Sequence, residues 1–214
     1  CACRPGARGG AYPIILARSD EMARRGKGTG SQGQLRIIGG QWRGRKLRFI
    51  PADGLRPTTD RIRETLFNWL APVVQDARCA DLFAGSGALG LEALSRGAAH
   101  CDFVDSSATA LQQLQAHLET LHALDRGHCH PGPAERFLAS ADGQYDLVFI
   151  DPPFGRSLVE PTCRLLEEGS QLAPGAMVYV ETAAGEGSPQ VAQNWTEFRC
   201  KSAGGVSYRL FLVE

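Results

Sequence analysis

The run Cys79-Ala80-Asp81-Leu82-Phe83-Ala84-Gly85-Ser86-Gly87-Ala88-Leu89-Gly90-Leu91-Glu92-Ala93 restricts the fold more than any other part of the chain. A short apolar stretch ends in Gly85-Ser86-Gly87, after which Leu89, Ala93 and Leu94 recur at helical spacing. The segment therefore reads as strand, tight turn, helix. Gly85, Gly87 and Gly90 stand in GxGxxG register, which lets a backbone turn sharply and approach a ligand closely. A second strand-like run, Cys101 to Val104, ends in Asp105, about twenty residues past the first glycine, where a carboxylate can accept hydrogen bonds from ribose hydroxyls. These features point to a nucleoside cofactor. Asp81, on the strand just before the turn, repels a pyrophosphate and attracts an ammonium group, which disfavours a dinucleotide and favours a cofactor with an amino acid end.

Another apolar strand, Leu147-Val148-Phe149-Ile150, runs into Asp151-Pro152-Pro153-Phe154. The glycine turn, Asp105 and this tetrapeptide together resemble the class I S-adenosylmethionine-dependent methyltransferases that modify exocyclic amino groups. Further upstream, Ile37-Ile38-Gly39-Gly40, Arg43-Gly44-Arg45 and the run from Arg56-Pro57-Thr58-Thr59-Asp60 to Asn68-Trp69-Leu70 resemble the bacterial 16S ribosomal RNA guanine-N2 methyltransferase family. The resemblance extends from about Leu35 to the C-terminus. It implies methylation of the exocyclic amino group of a guanine in small-subunit ribosomal RNA, free or in a ribosomal subunit, with S-adenosylmethionine as cofactor. The cofactor contacts it implies are Asp81, Phe83, Ala84, Gly85, Ser86, Gly87, Gly90, Asp105, Ser106 and Ala134. One position departs from the family: Pro133 precedes Ala134 where an Asp or Asn is usual, and proline offers neither a side-chain acceptor nor an N–H for the adenine.

An aromatic amine is a poor nucleophile, because its lone pair is delocalised into the ring, so an enzyme must orient it. The Asp151 carboxylate and the Pro152 carbonyl can accept the two amino hydrogens. Consecutive prolines, Pro152 and Pro153, stiffen the turn and bring no competing N–H. Phe154 can stack on the base. Asp151, Pro152, Pro153 and Phe154 are thus the expected catalytic group. Two other readings stay open: an amino methyltransferase acting on adenine in DNA or RNA or on a protein amide, and a nucleic-acid-binding module without catalysis.

With 214 residues, the chain has room for one α/β domain and an appendage. Its formal charge is zero, yet residues 1–80 carry fifteen Lys and Arg against six acids, and residues 81–214 carry eight against seventeen. That asymmetry suggests a polyanion-facing N-terminal part. Residues 1–33 are rich in Gly, Arg and Ser and lack apolar periodicity, which predicts a disordered basic tail. Within it, Met22-Ala23-Arg24-Arg25 looks like an ordinary start, so residues 1–21 are expected to be non-native. Residues 34–57 read as a basic β-hairpin extension facing RNA, with Arg36, Trp42, Arg43, Arg45 and Lys46 as phosphate and base contacts. Arg56, Thr58 and Arg61 complete the expected substrate surface. Thr58-Thr59-Asp60 can cap a helix whose Ile62, Leu66, Trp69 and Leu70 share one face, leaving Arg61 off that stripe.

Residues 58–214 then alternate strand and helix: strands near 78–84, 101–105, 127–130, 145–150 and 176–181, helices near 87–96, 107–122, 134–140 and 157–168. Such alternation predicts a parallel sheet. Trp195–Lys201 and Ser207–Val213 flank Ala203-Gly204-Gly205 as a closing antiparallel hairpin. The expected architecture is α/β, a Rossmann-like class I methyltransferase with a mostly parallel seven-stranded sheet, that C-terminal hairpin and the small N-terminal one. Seven cysteines without CxxC pairs read as free thiols. His128-Cys129-His130 groups three possible ligands, but no second pair has zinc spacing, and no metal is expected. No apolar run reaches the length of a membrane span and no signal-peptide pattern is present, so a cytoplasmic monomer is expected.

Overall fold

A computed structural model describes residues 33–50 and 59–214. The basic tail, Met22, Arg56 and Thr58 lie outside the described residues. Seven strands make one sheet: β3 (Arg78–Asp81), β4 (His100–Asp105), β5 (Gly127–Pro131), β6 (Tyr145–Ile150), β7 (Leu172–Ala183), β8 (Trp195–Ala203) and β9 (Val206–Val213), in the spatial order β5-β4-β3-β6-β7-β9-β8. The first five are parallel, while β9 runs antiparallel between β7 and β8. The order reverses between β3 and β6, where an open α/β sheet leaves a crevice at the carboxyl ends of its strands.

Side chains alternate across the sheet, so each strand feeds two cores. Cys79, Cys101, Phe103, Leu147, Phe149 and Tyr179 face helices α1 (Asp60–Trp69), α2 (Ala88–Ser95) and α3 (Ala108–Thr120). Ala80, Leu82, Val104, Val148, Ile150 and Val178 face α4 (Ala134–Leu138) and α5 (Val159–Glu168). Burial on both faces explains the nearly continuous apolar runs of the central strands. Boundaries differ from expectation mainly at β7, which begins four residues early and passes through Pro174-Gly175, and at β3, which stops at Asp81 because the glycine turn leaves the sheet there. Cys79, Cys101, Cys129, Cys163 and Cys200 are free thiols. Among the described residues, no helix is long and apolar enough to cross a membrane.

The N-terminal hairpin, β1 (Gly33–Arg36) with β2 (Lys46–Phe49), shares the core of the α1–α3 side through Leu35, Ile37, Trp42, Leu47 and Phe49. Its anchor is Glu92, fully buried on α2, which accepts hydrogen bonds from the Ile38 and Gly39 N–H groups at 2.8 and 2.7 Å and from Arg96 Nε at 2.8 Å. Arg63, 1% exposed on α1, lies 3.5 Å from Glu92 and 2.6 Å from Asp60, and donates to the Arg36 carbonyl. Buried charges persist only when paired in this way. The hairpin tip approaches α2 so closely that a Cβ on Gly40, at φ +73°, would sit 1.7 Å from the Ser95 carbonyl oxygen. On the other side, His117 of α3 hydrogen-bonds the Arg48 carbonyl at 3.0 Å.

This docking corrects two expectations. Trp42 is 7% exposed, donates its N–H to Ser95 Oγ and packs under the Arg126 guanidinium, so it is a core residue and cannot stack on an RNA base. On α1, Ile62, Leu66 and the C-cap Leu70 are buried as expected and are joined by Arg63 and Phe67, whereas Trp69 is only half-buried against Tyr208. Thr59 is the N-cap, accepting from the Ile62 N–H.

Candidate active site

The carboxyl ends of β3, β4, β6 and β7 converge on one crevice. Ala84 ties the turn after β3 to β4 by donating to the Val104 carbonyl at 2.9 Å, and Gly87 N–H closes the turn on the Ala84 carbonyl at 2.7 Å. Gly87 has φ +76°, and a Cβ there would meet Leu114 Cδ1 at 2.4 Å. Gly90 serves packing instead: a Cβ would lie 2.2 Å from Phe103, the third-glycine role of bringing helix against strand. Asp105 is held from both sides, its Oδ2 accepting from Gly85 N–H at 2.8 Å and its Oδ1 from Ser107 N–H at 2.7 Å. The carboxylate is thereby aimed before any ligand arrives.

A cavity of about 350 Å³ opens beside it, lined by Phe83, Asp105, Ser106, Pro133, Ala134 and Asp151. Of the residues expected around a cofactor, Gly85 and Ser86 instead line a neighbouring cavity of about 210 Å³ bounded by Phe49 and Gln113. Asp81, Ala84, Gly87 and Gly90 are buried. Asp81 is 2% exposed and accepts one hydrogen bond, from Gly90 N–H at 3.0 Å. Burial pushes its carboxyl up to about 7; the Gly90 N–H opposes this, and the charges of Asp151 and Asp105 add to it. A carboxylate in that condition suits a cationic ligand group. Pro133 caps α4 without a side-chain bond, leaving the Ala134 N–H as a first-turn donor with no intrahelical acceptor.

The Asp151-Pro152-Pro153-Phe154 turn follows β6. On its far side lies a second cavity, of about 270 Å³, lined among others by Pro152, Phe154, Glu160, Glu181 and Thr182. Pro153 and Leu158 line both cavities, so the turn is the partition between them. Pro152 is buried, while Phe154 is 43% exposed. Asp151 follows β6, which lies between β3 and β7, and its charge acts on Asp81 and Tyr179 of those two strands. Sequence reasoning missed Glu181 and the second cavity. The available signal was an acid closing an apolar strand, Met177-Val178-Tyr179-Val180-Glu181, the pattern that also marks Asp81 and Asp151.

Arg43, Arg45 and Lys46 are exposed on the hairpin, as is Arg36, which pairs with Asp60 at 3.2 Å, and Arg61 is exposed on α1. The three possible ligands His128, Cys129 and His130 do not converge, because strand alternation turns Cys129 toward the α1–α3 core. Instead His100, Asp102 and His128 bring three potential ligand atoms within 4.8 Å of one another, near the start of β4. Asp102 also takes a hydrogen bond from the Tyr145 hydroxyl at 2.9 Å, meets His130 at 2.7 Å and lies 3.6 Å from Arg78.

Strand order, glycine turn and partitioned crevice define a Rossmann-like class I methyltransferase. The family model described as conserved hypothetical protein 95 matches residues 35–212. Ribosomal RNA small subunit methyltransferase D of Escherichia coli is 54% identical over 182 residues, 85% of this chain and 91% of that one. The Haemophilus influenzae protein of the same name is 44% identical over 185 residues, 85% of this chain and 95% of its own. The solved structure of the Escherichia coli protein yhhF superposes with a TM-score of 0.78 at 51% identity, covering 85% of this chain and 99% of that one. The chain belongs to the ribosomal RNA small subunit methyltransferase D family.

Proposed function

We propose that this protein methylates the exocyclic N2 amino group of a guanine in 16S ribosomal RNA, using S-adenosylmethionine, in the cytoplasm. The observation that carries the reading is the partition: Asp151-Pro152-Pro153-Phe154 stands between a cavity bearing Asp105 and one open to an incoming base. Asp105, Ser106, Phe83 and the Ala134 N–H would hold the nucleoside part of the cofactor, and Asp81 its ammonium group. When bound, the cofactor supplies an electrophilic methyl group on a sulfonium.

The chain's own residues do the rest by position. The Asp151 carboxylate and the Pro152 carbonyl accept the two amino hydrogens, so the nitrogen lone pair is turned toward the donor side of the partition. Phe154, exposed at the rim, stacks on the flipped base. As the nitrogen gains positive charge, Asp151 stabilises it more than it stabilised the neutral amine, which is what lowers a barrier. Orientation alone is worth about 7–11 kcal/mol to well-placed reactants. Arg43, Arg45 and Lys46 supply the phosphate contacts that the acidic remainder of the domain lacks.

Incubation with tritium-labelled S-adenosylmethionine and 16S RNA, free or in small subunits, followed by nucleoside digestion, tests the reading. N2-methylguanosine is the expected product. N6-methyladenosine, or label on protein, would overturn it.

A further inference from the structure

The Asp151 and Pro152 acceptors fit any amino group, adenine N6 as well as guanine N2. The residue that would tell the two bases apart must read a neighbouring atom. Guanine carries a hydrogen on N1 beside its amino group, while adenine carries a lone pair on N1 beside its own. A third acceptor next to Asp151 therefore favours guanine, and a carboxylate there opposes adenine by placing negative charge against that lone pair.

Glu181 occupies this place. β6 and β7 are parallel with Ile150 paired to Val180, so Asp151, just past the end of β6, and Glu181, within β7, continue that register, about 4.8 Å apart in backbone spacing. Glu181 is 2% exposed yet lines the same cavity as Pro152 and Phe154. Its Oε1 accepts the Tyr179 hydroxyl at 2.8 Å, which fixes the carboxylate on the side of the sheet that Tyr179 faces. A carboxylate has about four lone-pair sites, so it can serve several donors at once, a base among them. Glu160 and Glu186 also border the cavity, but of these acids Glu181 alone is buried, where a hydrogen bond is least exposed to competition from water.

We propose that Glu181 is the specificity-determining residue of this site, accepting the N1–H of the target guanine while Asp151 and Pro152 hold its N2 amino group. The proposal rests on the guanine reading given above.

The test uses the full chain and 16S RNA in which, once the methylated position has been mapped, that nucleotide is replaced by splint ligation with 2-aminopurine. This base keeps the 2-amino group but has a lone pair on N1. The quantity read is the ratio of single-turnover rates, guanine over 2-aminopurine, for wild type and for Glu181→Gln. In the variant, the amide oxygen keeps the Tyr179 hydroxyl, and the NH2 takes the other carboxylate position, where it donates to the N1 lone pair. The ratio should fall about 10- to 100-fold, the value of one charge-assisted hydrogen bond. Each ratio is internal to one enzyme, so a lowered folded fraction cancels. If Glu181→Gln yields no folded protein, Tyr179→Phe, which releases the carboxylate, must compress the ratio as well. An unchanged ratio in the variant measured overturns the proposal while leaving guanine methylation intact. Failure of wild type to methylate guanine would instead sink the reading beneath it.

Discussion

Asp81 on β3 and Asp102 on β4 lie one register step apart in neighbouring strands, both buried, and their carboxyl groups titrate in opposite directions. Burial raises both. Asp102 is then pulled well below the usual carboxylate range by His100 and His130 beside it and by the Tyr145 hydroxyl. Asp81 has a single backbone donor, faces the charges of Asp151 and Asp105, and stands at about 7. The protein completes one carboxylate from within, and the proposed cofactor's ammonium group would complete the other. That difference separates architecture from function in this sheet more clearly than burial does, and it can be broken from either side.

Removing Asp102 should be the most damaging to the fold. Asp102→Ala strands His100, His130 and the Tyr145 hydroxyl, and loss of one partner of a buried charged network costs about 3–5 kcal/mol. Chemical denaturation would register this as a lower midpoint. The folded fraction should still bind S-adenosylmethionine normally; a stable variant with impaired cofactor binding would show that Asp102 belongs to the site.

Asp81→Asn should do the reverse. Cofactor affinity should drop by about 1.5–3 kcal/mol, the range for a hydrogen bond to a charged group, when measured by calorimetry. Stability above pH 7 should rise, because a group whose folded pKa is raised favours the fold below its unfolded value, near 3.9, and that contribution is lost as pH climbs through about 7. For Asp102, with a depressed folded pKa, stability is present above about 3.9 and is lost as pH falls below it. The two variants should therefore flatten opposite limbs of the stability–pH profile. If Asp81→Asn is no more stable than wild type at pH 8, the assigned strain on Asp81 is wrong.

Cofactor binding should also release a proton near pH 7, since an ammonium selects the ionised Asp81. Calorimetry in buffers of different ionisation enthalpy reads this directly: wild type should show a release of a fraction of one proton, and Asp81→Asn none. The smallest effect is expected at the hairpin, where neutralising Arg43, Arg45 and Lys46 should reduce the log–log salt slope of RNA binding by about 0.7 per lost phosphate contact without altering cofactor affinity. An unaltered slope would make that face an ordinary solvated surface.

The parallel sheet, the glycine turn and the Asp-Pro-Pro-Phe turn were legible because each is local: an apolar run, a turn and a helix within some twenty residues. The hairpin's role was not. Trp42 looked like an aromatic among cations, and only its tertiary packing, buried under Arg126 with its backbone N–H on Ser95, shows that it is core. Arg63 and Glu92 carried a readable sign, an arginine inside an apolar stripe and a glutamate in a helix buried along its whole length. Their pairing across α1, α2 and the hairpin depends on tertiary packing that periodicity does not encode. Likewise, His128 and His130 are close in the sequence pattern, but their neighbour Asp102 comes from β4, twenty-odd residues earlier.

The central claim is that Asp151 acts on the reacting amino group rather than on the fold. Asp151→Ala should fold and still bind the cofactor, because the residue follows β6 beyond its last buried position, Ile150. With saturating 16S RNA, the rate of a single methyl transfer should fall by about 10²–10³ or more, the scale of losing one preorganised partner of developing charge. A single-turnover rate near wild type, in a folded variant with cofactor bound, would contradict the account and return the Asp-Pro-Pro-Phe turn to architecture.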